Sequence, residues 1–200
     1  MNRITSFSLV AVLLLVFGSV YAQSTISIGP RLGANFSTFV GDDSNAETNT
    51  AIVAGLTSTY SINEKSGLGL DLLYSREGAE SNFGDTNVKL DYLRLPITFQ
   101  YFFRSWEDDF RPKLYLGVVP GVLLQAEVAD LEVKESYNSF DVAATAGAGF
   151  NYRSSRNEPA VWLNTDFRYW RGLTNVLDDV DAELFNQSWQ LSLGLAFGLN

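Results

Sequence analysis

The sequence predicts an all-β chain, an eight-stranded antiparallel up-and-down β-barrel, and three observations predict it. Apolar and polar residues alternate with period two through nearly all of the chain beyond residue 22, and helical periodicity is absent. The alternation divides into eight segments that take up most of that length. The connectors are long after odd segments and short after even ones, as an up-and-down barrel with unequal ends requires.

The chain opens with MNRITSFSLVAVLLLVFGSVYA, residues 1–22, which reads as an export signal. Arg3 and the amino terminus form a positive start, an apolar run Leu9–Val20 follows, and Val20-Tyr21-Ala22 offers cleavage after Ala22. A run of about 12 apolar residues is short of the roughly 20 that a spanning helix needs. No Cys follows, so no lipid anchor is expected, and residues 23–200 form the one mature domain.

The segments follow in order. Thr25–Phe36 sets Ile26, Ile28, Leu32, Ala34 and Phe36 against Ser27, Arg31 and Asn35. Thr50–Ser61 sets Ile52, Ala54, Leu56 and Tyr60 against Thr57 and Thr59, and Ser66–Glu77 sets Leu68, Leu70, Leu72 and Tyr74 against Asp71 and Ser75. In Val88–Phe103, Leu93, Leu95, Ile97, Phe99, Tyr101 and Phe103 oppose Arg94, Thr98 and Gln100. Lys113–Glu127 sets Leu114, Leu116, Val118, Val122 and Leu124 against Gly117, Gly121, Gln125 and Glu127, with Tyr115, Val119 and Leu123 blurring the second face. The sixth segment, Phe140 to Arg153, sets Phe140, Phe150 and Tyr152 against Asp141, Thr145 and Asn151. Ala160–Arg171 sets Leu163, Phe167 and Tyr169 against Asn164, Asp166 and Arg168, and Gln187–Leu199 sets Trp189, Leu191, Leu193, Leu195 and Phe197 against Gln190 and Ser192. Long connectors are Ser37–Asn49, Gly78–Asn87, Val128–Ser139 and Gly172–Asn186; short ones are Ile62–Lys65, Arg104–Pro112 and Ser154–Pro159. Pro96 and Pro120 fall inside segments, where each removes a ladder hydrogen bond, and bulges are expected there.

Composition narrows the chemistry. With 14 Lys plus Arg against 23 Asp plus Glu and a net charge of -9, a basic nucleic-acid face is excluded. Cys and His are both absent, which removes disulfides, thiolate nucleophiles, imidazole bases and the usual zinc, haem and iron–sulfur ligand sets.

Alternation alone does not say which face points inward. A soluble lipocalin-like carrier would turn its apolar face in, around a ligand; a membrane barrel turns it out, to lipid. Two patterns favour the membrane. The polar faces, carrying Arg31, Asp71, Arg94, Asp141, Asp166 and Arg168, suit a crowded lumen in which opposite charges pair. The aromatics sort by depth: Phe36, Tyr74, Phe140, Tyr169 and Trp189 lie at one end of the apolar faces. Tyr60, Tyr101, Phe103, Phe150, Tyr152 and Phe197 lie at the other, with mainly aliphatic residues between. Membrane–water interfaces select such a pair of girdles.

The segments GPRLGANFST, LDLLYSREGAE, YLRLPITFQYFF, LYLGVVPGVLL, AGAGFNYR, FRYWRGLTNV and LSLGLAFGL, in this order, resemble the small PorT-like outer-membrane β-barrel family of Bacteroidetes-type bacteria. The resemblance implies an eight-stranded barrel placed in the outer membrane of a Gram-negative cell by the barrel-insertion machinery. The chain departs from the common pattern by ending Phe197-Gly198-Leu199-Asn200 rather than on an aromatic residue.

No enzymatic activity is expected. A carboxylate-only hydrolase would need Asp141 and Asp166 to face each other; an ion-pair network with Arg31, Arg94 and Arg168 is the plainer use of them. Eight strands leave an interior just wide enough for side chains, so a plugged lumen is expected. The acidic connectors, with Asp42, Asp43 and Glu47, with Asp130, Glu132 and Glu135, and with Asp178, Asp179, Asp181 and Glu183, read as solvated loops and not as calcium sites. No cofactor is implied. The expected role is structural or interactive through the outer loops, with membrane lipid and an unspecified envelope protein as partners. An accessory part in an envelope transport or secretion complex is the first alternative, and a soluble periplasmic carrier the second.

Overall fold

The computed structural model describes residues 26–41, 46–81, 87–129, 131–155, 159–178 and 183–199. The expected export signal lies outside them, as do Asp42, Asp43, Asp130, Asp179 and Asp181 of the acidic connectors.

The strands are β1 (Ile26–Gly41), β2 (Ala46–Ser61), β3 (Ser66–Ser81), β4 (Asn87–Arg94), β5 (Ile97–Phe102), β6 (Phe110–Val128), β7 (Leu131–Glu132), β8 (Phe140–Ser155), β9 (Val161–Gly172) and β10 (Leu184–Leu199). Every pairing is antiparallel, and β10 pairs with β1, so the sheet closes. β4 and β5 together form one stave between β3 and β6, and β7 is a two-residue addition to the end of β6. The ring therefore has eight staves. Closure leaves no long unpaired edge, which is what lets a sheet stand in hydrocarbon.

The outward face is apolar. Leu32, Ile52, Leu116, Leu193 and Phe167 are exposed there, whereas Arg31, Asn35, Thr57, Asp71 and Gln190 point inward and are buried. The inside-out pattern of a membrane barrel is thus present: among the described residues the middle of the interior is lined by charged and polar side chains, and not by the apolar wall a soluble carrier turns inward.

The strands run further than apolar alternation indicates. β1 continues through Ser37–Gly41, β2 begins at Ala46, β3 continues to Ser81 and β10 begins at Leu184, all within the long connectors. Apolar alternation stops where the outward residues turn polar, and the backbone ladder continues past that point.

The prolines also differ from expectation. Arg94 pairs with Leu73 and Ile97 with Leu70, three residues apart on both strands, and Gly121 and Val118 pair with the same two residues on the other side. The register therefore passes through Leu95-Pro96 with no inserted residue. Leu95 donates to the Pro120 carbonyl at 2.8 Å and Asp71 to the Pro96 carbonyl at 3.0 Å. Only the two returning bonds, which proline cannot give, are lost. The bulges lie elsewhere: in β6 opposite Asp91/Tyr92, in β2 between Thr48 and Val53, and in β8 between Arg153 and Ser155.

The end at which β1 begins and β10 ends has tight turns. In Ile62–Lys65, the Asn63 side-chain carbonyl accepts from the Lys65 and Ser66 amides at 2.9 Å each. The other end is built up. A 3-10 turn (Lys134–Ser136) follows β7, and Asn138 donates to the carbonyls of Asn175 and Leu177 at 3.0 and 2.8 Å. Those bonds tie the β7–β8 connector to the β9–β10 connector.

Candidate functional site

Eight charged residues of the inward faces meet in two clusters across the lumen. The first joins β1, β2, β3, β6, β9 and β10. Arg31 lies 2.8 Å from Asp166 and donates to Thr57 Oγ1 at 2.9 Å and Ser192 Oγ at 3.1 Å. Thr57 in turn donates to Asp71 Oδ1 at 2.7 Å, and Arg168 Nη2 donates to Asp71 Oδ2 at 2.7 Å. Lys113 Nζ reaches Asp166 Oδ1 at 2.9 Å.

The second cluster lies nearer the long-loop end. Arg94 makes a forked contact with Glu77, Nε to Oε1 at 2.9 Å and Nη2 to Oε2 at 2.6 Å, the geometry guanidinium and carboxylate favour. Its Nη1 lies 2.6 Å from Asp141 Oδ2, and the guanidinium stacks 4.0 Å over the Tyr92 ring. Thr174 donates to Asp141 Oδ1 at 2.6 Å and Asn186 to Oδ2 at 3.1 Å. Two glycines make room for this packing. A Cβ at Gly121 would fall 2.6 Å from the Arg94 side chain, and one at Gly147 2.4 Å from the Tyr115 hydroxyl.

All six residues singled out in the sequence, Arg31, Asp71, Arg94, Asp141, Asp166 and Arg168, are buried and ion-paired. Asp141 and Asp166 sit in different clusters, each held by cations, so they form no facing carboxylate pair. Glu77 and Lys113 were not singled out, although each continues the inward parity of its strand: Glu77 follows Asp71 and Ser75, and Lys113 precedes Gly117 and Gly121. Thr174, in a connector, carries no such signal. Gln125 is exposed and not luminal, because the bulge at Leu124 reverses the parity of β6 beyond it.

The interior is also less polar than alternation suggests. Phe39, Ala79, Leu90, Tyr92, Leu123, Ala126 and Val176 form an apolar cluster toward the long-loop end, with Val119, Ala143 and Trp170 packed as a smaller one.

The aromatics stand on the outward face at two levels. Phe36 pairs with Trp189 and Trp189 with Tyr169 toward the long-loop end, and the Trp189 ring lies 4.6 Å from Tyr169 and 5.1 Å from Phe167. Tyr74 and Phe140 are exposed on that side. At the short-turn end Tyr101 and Phe103 meet edge to face at 5.4 Å and Phe110 and Phe150 at 5.2 Å. Tyr152 and Phe197 are exposed there, and Tyr60 is half-buried. Among the described residues no group of three or more acidic side chains converges to hold a metal ion.

A family model for the outer membrane protein beta-barrel domain matches residues 21–178. Solved structures share the fold at low identity. OprG from Pseudomonas aeruginosa superposes with a TM-score of 0.59 at 16% identity, covering 88% of this chain and 96% of that one. Neisserial surface protein A gives 0.56 at 14%, covering 88% and 99%. Ail of Yersinia pestis, in complex with the heparin analogue sucrose octasulfate, gives 0.50 at 15%, covering 88% and 100%. No curated protein matches the chain by sequence.

Proposed function

The chain belongs to the outer membrane protein beta-barrel domain family and is an outer-membrane protein; from that premise we propose that it is a plugged, non-enzymatic barrel acting through its long-loop end. The observation that carries the plug is the pair of clusters spanning the lumen: Arg31, Arg94, Lys113 and Arg168 balance Asp71, Glu77, Asp141 and Asp166. An eight-stranded ring has little more room than these side chains fill. Each of these carboxylates is already held by a cation, which leaves none as a free base.

The two aromatic levels mark the membrane interfaces in this reading, with both termini on the periplasmic side and the long connectors outside. The docked connectors support an interaction role, since strand extensions, the 3-10 turn and the Asn138 bonds make a shaped surface there. PorT-like membership within the family rests on the ordered segments quoted above, and barrel-insertion machinery is the expected assembly partner.

Planar-bilayer recording of the refolded protein tests the plug: no steady conductance is expected, and a reproducible open level would overturn it. Pull-down from intact envelopes with the β7–β8 connector altered tests the docking surface, and an unchanged set of partners would count against it.

A further inference from the structure

Among the described residues Arg111 is the one buried basic side chain of the lumen outside the two balanced clusters. It is 3% exposed, and none of the ion pairs among the described residues includes it. Its guanidinium lies 4.0 Å over the Phe102 ring and 5.8 Å from that of Trp162. Nη2 donates to the Glu64 carbonyl at 3.0 Å, while Nε is buried without an acceptor. Arg111 lines a cavity of about 140 Å³ at the short-turn end with Arg153, Trp106, Trp162, Asn151 and Thr59, and among the described residues no carboxylate lines it. Arg153 is balanced by Asp109 at 3.1 Å and also donates to the Glu107 carbonyl; Arg111 feels the exposed Asp108 only through space and pairs directly with no carboxylate among the described residues.

A guanidinium removed from water without a counter-charge is costly, and the other buried cations of this barrel each have one. Among the described residues the walls supply cations, the hydroxyls of Ser27, Thr59 and Ser61, an amide and indole rings, so a counter-charge can come from outside. The volume admits a small oxyanion group and not a drug-sized molecule, which needs roughly 300–1,000 Å³. We infer that the short-turn end of the barrel holds a binding site for a small oxyanion group, a carboxylate or a phosphate, seated on Arg111. The planar fork of the guanidinium matches two oxygens of either group, and its ring stacking holds the fork in place.

The site is tested on the full barrel refolded in zwitterionic detergent, with indole ¹⁵N resonances as the readout. Inorganic phosphate is one probe. An acetylated dipeptide with a free carboxyl terminus is the other, with its amidated form as control. Saturable shifts of Trp106 and Trp162 are expected, with Trp170 and Trp189 unmoved. A response to phosphate alone assigns the site to phosphate groups; a response to the free-acid peptide and not its amide assigns it to chain-end carboxylates. Arg111→Gln should weaken binding at least tenfold while keeping the heat-dependent gel migration of a folded barrel. Should that variant not fold, Arg111→Lys, which keeps the charge and loses the fork, takes its place. Drift without saturation for both probes, or equal binding by the variant, would overturn the site.

Discussion

At mid-depth the interior is held by four cations and four carboxylates, whereas toward the long-loop end Phe39, Leu90, Tyr92, Leu123, Ala126 and Val176 pack against one another. The outer face changes in the opposite sense. Beside the charged middle it shows Leu32, Ile52, Leu193 and Leu116; beside the apolar cluster it shows Arg76 paired with Asp91 at 2.7 Å. Along β4 the switch falls within three residues: Asp91 has outward parity and is covered to 7% exposure while paired with the more exposed Arg76, Leu93 is exposed on the apolar belt, and Arg94 faces in. The wall is inside-out where lipid surrounds it and ordinary where water does. Hydrophobicity follows the solvent on each side, and the backbone continues unchanged through both regimes.

The largest effect is expected in the charged region. Arg94→Met leaves Glu77 and Asp141 buried without their cation, and removing one partner of a buried pair costs about 3–5 kcal/mol. Urea unfolding of the refolded barrel in lipid vesicles measures it. The triple variant with Glu77→Gln and Asp141→Asn should recover much of the loss. Failure of the triple to recover would mean that Arg94 stabilises through its stacking on Tyr92 and not through charge balance.

The apolar region should respond to lost volume instead. Leu123→Ala opens a cavity in a cluster where Leu123 is 1% exposed, at a cost of about 2–5 kcal/mol in the same assay. A loss below 1 kcal/mol, on the order of a surface change, would mean that the cluster is not a true core.

A cation placed on the outer face separates the regimes more sharply. Leu193→Arg, in the middle of the apolar belt, should cost about 2–4 kcal/mol, and Thr38→Arg, beyond it, about 0–1 kcal/mol. Equal costs at both positions would erase the boundary between Tyr74 and Arg76.

These differences explain what was legible beforehand. Ring closure, eight staves, the lipid-facing set and the six luminal charges follow from parity, because one face must satisfy hydrocarbon at every second residue. Parity also reaches Glu77 and Lys113. It does not reach the strand extensions Ser37–Gly41 and Leu184–Asn186, where the outer face no longer needs apolar side chains. Thr174 and Val176 come from a connector, placed by tertiary packing. Arg111 stood in a segment read as a turn, and only the longer β6 turns it inward. Pro96 needs no bulge, because a proline's missing donor does not itself shift the register, and here the gap is absorbed in place.

The smallest expected effect is at Gln125. Simple alternation from Gly117 and Gly121 puts it in the lumen, where truncating a buried amide would strand its partners at about 1–3 kcal/mol. The β6 bulge turns it outward, and its one recorded bond is to the neighbouring Glu127 at 2.7 Å on the exposed surface. Gln125→Ala should therefore change stability by no more than about 0.5 kcal/mol. Asn35→Ala, on the unbulged β1 with its fully buried amide donating to the Arg76 carbonyl at 3.1 Å and accepting from Ser188, should cost several times more. Similar losses for the two would mean that β6 keeps its parity past Leu123, and the apolar cluster would then have to be repacked around a luminal Gln125 with Ala126 facing out.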